Sequence, residues 1–140
     1  MMTKISFIVA FMIVFFTGIA YGYDKQESQN LIMSEMVTLD KAFKTAIDAV
    51  LLNQLERIAP AFEDVHKVRE QVEHAVKERE KIVLPKNQSL FKVFVRLDNR
   101  FHHEVEILVD ASKKKNMKAV QRQVSRLLNM CVRCHGLFRK

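Results

Sequence analysis

Apolar residues recur three or four positions apart along four successive stretches of the chain, and no other feature limits its fold as tightly. That period puts them on one face of an α-helix, and the face has to be buried. The first stretch, about Ser28 to Leu52, carries Ile32, Met36, Leu39, Phe43, Ile47 and Val50. The second carries Leu55, Ile58, Phe62, Val65, Val72 and Val76, and the third, from Ser89, has Leu90, Phe94, Leu97, Phe101, Val105 and Leu108. The fourth is Met117, Val120, Val124, Leu127, Cys131, Cys134 and Phe138. Only three glycines and two prolines are available to interrupt these runs, so long helices are expected. The sequence predicts an all-α, antiparallel up-down-up-down four-helix bundle.

The breaks between the stretches are readable. Asn53, with Glu56 three residues on, has the spacing of a cap for the second helix, while Pro60 pulls that start toward Ala59. Leu84-Pro85-Lys86-Asn87 is the clearest interruption. Asn116 stands before the fourth stretch as Asn53 stands before the second, so the two halves resemble two hairpins of one plan.

Residues 1–22, MMTKISFIVAFMIVFFTGIAYG, have one lysine, an apolar run from Ile5 to Phe16 and then small residues. This is the layout of a secretory signal, with Ala20-Tyr21-Gly22 as a cleavage site, and it leaves residues 23–140 as one domain. The expected location is the periplasm, with membrane attachment only if the signal stays uncleaved. Lys4 is the only charged residue removed, so the formal charge falls from +7 to +6. Lysines and arginines are interspersed with glutamates and no nucleic-acid motif accompanies them, so the excess predicts acidic protein partners and no nucleic acid.

Near the C-terminus lies Cys131-Val132-Arg133-Cys134-His135, a Cys-x-x-Cys-His sequence. On a helix, positions i, i+3 and i+4 share a face, so two cysteines can form thioethers to one haem while the histidine ligates its iron. A redox thiol pair normally sits at a helix N-terminus, where the dipole lowers the thiol pKa, and here the helix is near its end. A zinc site would call for a second pair of cysteines or histidines, and the chain has no other cysteine. The motif therefore predicts one covalent haem c near the end of the fourth helix. Because Cys131, Cys134 and Phe138 continue an apolar stripe, the haem is expected inside the bundle.

In length, in helix order and in the run Cys131 to Arg139, with an aromatic and an arginine following the motif, the chain resembles cytochrome c-prime and its low-spin relatives. The resemblance implies a periplasmic protein, often a homodimer, that carries electrons or binds small gases such as nitric oxide. It also implies that Arg139 acts near the haem. The first turn lacks the family's usual glycine, and the connection between the second and third helices reads as short.

Counting helical rises from the turns puts His135 level with positions near 34, 72 and 94. That layer leaves Met33 and Met36 as candidates for the other face of the iron, once His66, His102 and Met117 are set aside by level and His74 and His103 because they point away from their apolar stripes. Met36 lies within its stripe and Met33 on the flank, so Met36 is the expected sixth ligand; core filler is the competing role. The resemblance implies a methionine ligand early in the first helix of low-spin members and an apolar residue there in five-coordinate ones. Phe94 is expected to pack on the haem. Electron transfer is the leading function, with five-coordinate gas binding as the alternative and a haem-free thiol protein as a third class. No convergent carboxylates or nucleophile-base pairs can be placed together, so no enzyme is expected.

Overall fold

The computed structural model describes residues 31–78 and 82–139. The expected signal and the start of the first helix lie outside the described residues. All regular structure among the described residues is helical, and four helical arms pack against one another, an arrangement compatible with a four-helix bundle. The first arm is α1, residues 31–51. The second is a 3-10 turn at Leu55–Arg57, then α2 (Ile58–Ala61) and α3 (Glu63–Lys77). The third is α4 (Phe91–Lys113), entered through a 3-10 turn at Gln88–Leu90, and the fourth is α5 (Met117–Phe138). No helix among the described residues is long and apolar enough to cross a membrane.

The turn after α1 and the turn after α4 are built alike. Asn53 and Lys115 both have left-handed backbone, with φ of 53° and 52°. Gln54 N donates to Ala49 O at 2.8 Å, and Asn116 N donates to Ala111 O at 3.0 Å, each satisfying a carbonyl left over at the helix end. Asn53 thus terminates α1 and does not cap the second helix; its counterpart is Lys115, one residue before Asn116. Asn116 does cap α5, its side chain accepting from Ala119 N at 3.1 Å. Pro60 falls in the first turn of α2, where its missing N–H costs no hydrogen bond.

α3 ends at Lys77 and the third arm opens at Gln88, a wider separation than the Leu84-to-Asn87 break suggests, and the described part of what joins them is residues 82–87. Ile82 and Leu84 are buried in it. Gln88 braces the loop, accepting from Leu84 N at 2.7 Å and donating to Ile82 O at 3.0 Å. Asn87 Nδ2 donates to Leu137 O at 2.7 Å, which ties the connection to the end of α5.

Two apolar clusters form the core. One, toward the α1 and α4 turns, includes Ala46, Ala49, Ile58, Phe62, Val105, Leu108, Val120 and Leu127. The other joins Ile32, Val72, Phe94 and Phe138 with Ile82 and Leu84, so the counted layer does assemble. Between them on α1 and α4 lie polar residues: Glu35, Asp98 and His102. The most buried face of α1 runs through Ile32, Glu35, Ala42, Ala46 and Ala49, about one position off the stripe of large residues. Alanines allow close backbone approach, and Met36 and Phe43 are left half-buried on the flank of that face.

Candidate functional site

That flank forms one wall of a groove of about 390 Å³ between α1, α4 and α5. Met36, Leu39 and Phe43 face it from α1, and Phe94, Leu97 and Phe101 from α4. Along α5 the wall is Cys131, Cys134 and His135. The side chains of Arg100, Arg126 and Arg133 stand on its exposed margin, and Asp98 lines it from the interior. The helical period explains the meeting. Met36 is seven residues before Phe43 on α1, Phe94 seven before Phe101 on α4, and Cys131 three before Cys134 on α5, each set on one helical face.

Both cysteines are half-buried, and His135 is exposed at the groove's edge. Burial pushes the Cys131 thiol up, and pushes that of Cys134 up to about 11, with the charges of Asp98, Cys131 and Glu35 adding to the effect on Cys134. Both thiols are therefore protonated near neutral pH, the reverse of what a thiol-disulfide exchange pair needs. Phe94 is held in place by Phe138, whose ring meets it edge-on at 5.4 Å, and by Phe91, stacked at 6.4 Å.

Five of the six residues expected at the site share this groove: Cys131, Cys134, His135, Met36 and Phe94. Arg139 does not. The helix stops at Phe138, and Arg139 continues in extended backbone, exposed, its N–H donating to His135 O at 3.0 Å. Met33 is 58% exposed and lies outside the groove. Arg69, on the inner side of α3, pairs with Glu73 at 2.8 Å and lies 3.7 Å from Glu106.

The polar interruption of the core is what sequence reasoning missed. Glu35 Oε1 lies 3.0 Å from His102 Nε2, and both side chains are completely enclosed. Asp98 Oδ1 is 3.6 Å from the same nitrogen, so two carboxylates and an imidazole do converge. Burial, then the Glu35 charge, push the Asp98 carboxyl up to about 7, against the opposing pull of His102 and Arg69. Glu35 Oε2 and His102 Nδ1 have no hydrogen-bond partner. The available signal was the i, i+4 spacing of Asp98 and His102, four residues beyond Phe94.

No protein-family model, curated protein or solved structure matches the chain. The resemblance to cytochrome c-prime accordingly rests on the residues from Cys131 to Arg139 and on the order and length of the helices.

Proposed function

We propose that this chain is a c-type cytochrome with an antiparallel four-helix bundle, exported to the periplasm, with one haem c joined to Cys131 and Cys134, and that it transfers electrons. The observation that carries this reading is that one apolar groove gathers both cysteines and the histidine of the Cys-x-x-Cys-His run together with a methionine from α1. The residues suit the group. Aromatic and aliphatic side chains line both walls for a flat apolar ring, and Arg100 and Arg133 offer cations for its two carboxylates, while Arg126 pairs with Glu104 at 2.8 Å.

Bound there, the haem supplies a one-electron redox centre. The side chains would do the rest of the work: the His135 imidazole and the Met36 thioether would hold the iron, and the aromatic walls would limit the access of water. Uncharged thiols and a position near the end of a helix speak against a redox thiol pair. Exposed Val132 and Leu128 lie beside the basic margin, and with a net charge of +6 after loss of the signal they favour an acidic redox partner.

The test is the optical spectrum of the ferric protein, wild type against Met36→Ala and Met33→Ala. A low-spin wild type with a sulfur-to-iron near-infrared band is expected, Met36→Ala becoming high-spin and binding carbon monoxide readily while Met33→Ala changes little. A wild type that is already five-coordinate would reassign the protein to gas binding.

A further inference from the structure

Glu35, Asp98 and His102 form a second cluster, which meets the groove only through Asp98. Their donor atoms all lie within 4.8 Å of one another, with Glu35 from α1 and the other two from adjacent turns of α4. Two carboxylates set against an imidazole in the core, Glu35 fully enclosed and Asp98 nearly so, are costly to ionise together unless a cation compensates them. The second observation is the unpartnered Glu35 Oε2, on a side chain with no exposure at all; with His102 Nδ1 in the same cluster, it is one of two buried side-chain polar atoms among the described residues that lack a partner.

We propose that this cluster binds one divalent transition-metal ion, of which zinc is the type, and that the ion pins α1 to α4 between the two apolar clusters. Charge balances, since two carboxylates match a divalent cation. Geometry fits as well. Ligand bonds of about 2.0–2.2 Å in a tetrahedral site set donors roughly 3.3–3.6 Å apart; His102 Nε2 lies 3.6 Å from Asp98 Oδ1 and 3.0 Å from Glu35 Oε1, so the Glu35 contact has only to open slightly. One nitrogen and two carboxylates suit zinc, manganese or ferrous iron better than calcium, which takes six to eight oxygens. Asp98 lines both the groove and a second cleft of about 260 Å³ between α3 and α4 that includes Val72, Glu73 and Lys77. The second cleft gives the ion and its remaining water ligand a way in that does not pass through the groove.

The experiment is zinc binding by the mature protein, read by elemental analysis after dialysis and by X-ray absorption at the zinc edge. One zinc per chain is expected, with nitrogen and oxygen neighbours at about 2.0–2.1 Å and no sulfur. Glu35→Gln and His102→Gln should each weaken binding at least tenfold with helical circular dichroism retained, while the double change Cys131→Ser with Cys134→Ser should leave zinc in place. A sulfur neighbour near 2.3 Å would assign the zinc to the cysteines and overturn the proposal. So would full zinc retention in a folded His102→Gln protein, or a folded wild type that takes up less than a tenth of an equivalent. If neither variant folds, the wild-type absorption spectrum decides alone. Haem attachment is read separately from colour, so failure here and failure of the cytochrome reading are distinguishable.

Discussion

Replacing Glu35 by alanine removes the partner that holds His102 Nε2 at 3.0 Å. His102 is fully enclosed and its Nδ1 already lacks a partner, so the imidazole would be left with neither nitrogen well paired. An unsatisfied buried polar group costs about 1–3 kcal/mol, and the vacated volume adds to it. Asp98 at 3.6 Å offers partial compensation, because removing Glu35 also removes the charge that repels its carboxylate. The expected net loss is about 2 kcal/mol. Exchanging both partners for apolar residues, Glu35→Leu with His102→Leu, removes the desolvation cost and should restore stability to within about 1 kcal/mol of wild type or raise it. Urea unfolding followed by circular dichroism, with a chelator present to exclude metal effects, measures this. The single variant should lower the midpoint by roughly 1–2 M for a urea slope of the usual size. A loss under about 0.5 kcal/mol, the size of an ordinary surface change, would refute the burial of the pair. Additive losses in the double variant would refute the coupling.

Other outcomes follow from the same structure. Because burial and Glu35 raise Asp98 to about 7, above its unfolded value, the folded chelated protein keeps a proton that the unfolded chain releases between about pH 4 and 7. Stability is therefore fully present at the acid end of that window and falls as pH rises through it, by up to about 1.4 kcal/mol per unit. Asp98→Asn should flatten the trend, and equal urea midpoints for wild type at about pH 5 and about pH 8 would contradict it. Asn116→Ala should cost about 1 kcal/mol in thermal melts by removing the α5 cap. Lys115→Gly should gain about 0.5–1 kcal/mol by relieving left-handed backbone, and a loss there would contradict the turn geometry.

The helices and the gathering of Met36, Phe94 and Cys134 near one layer were legible because 3.6-residue periodicity fixes faces and the turns fix levels. Several features were not. Glu35 reads as surface because a carboxylate is rarely buried, and only the tertiary placement of His102 opposite it reveals otherwise. The alanines of α1 carry little weight in an apolar stripe although they mark its closest packing, which is why the stripe of large residues lies off the buried face. Asn53 reads as a cap by its spacing from Glu56, but it terminates α1 instead, because that outcome depends on a backbone angle that residue type does not set. The same holds for Arg139, whose position depended on α5 continuing one residue further than it does.

The central claim is that Cys131 and Cys134 hold haem covalently, and its most direct test is whether colour stays with the polypeptide. Protein matured in a host with haem-attachment machinery should retain its haem absorption after acid-acetone extraction and denaturing electrophoresis, and lose it when both cysteines are changed to alanine. A mature wild-type protein that is colourless, with two titratable thiols, would contradict the account.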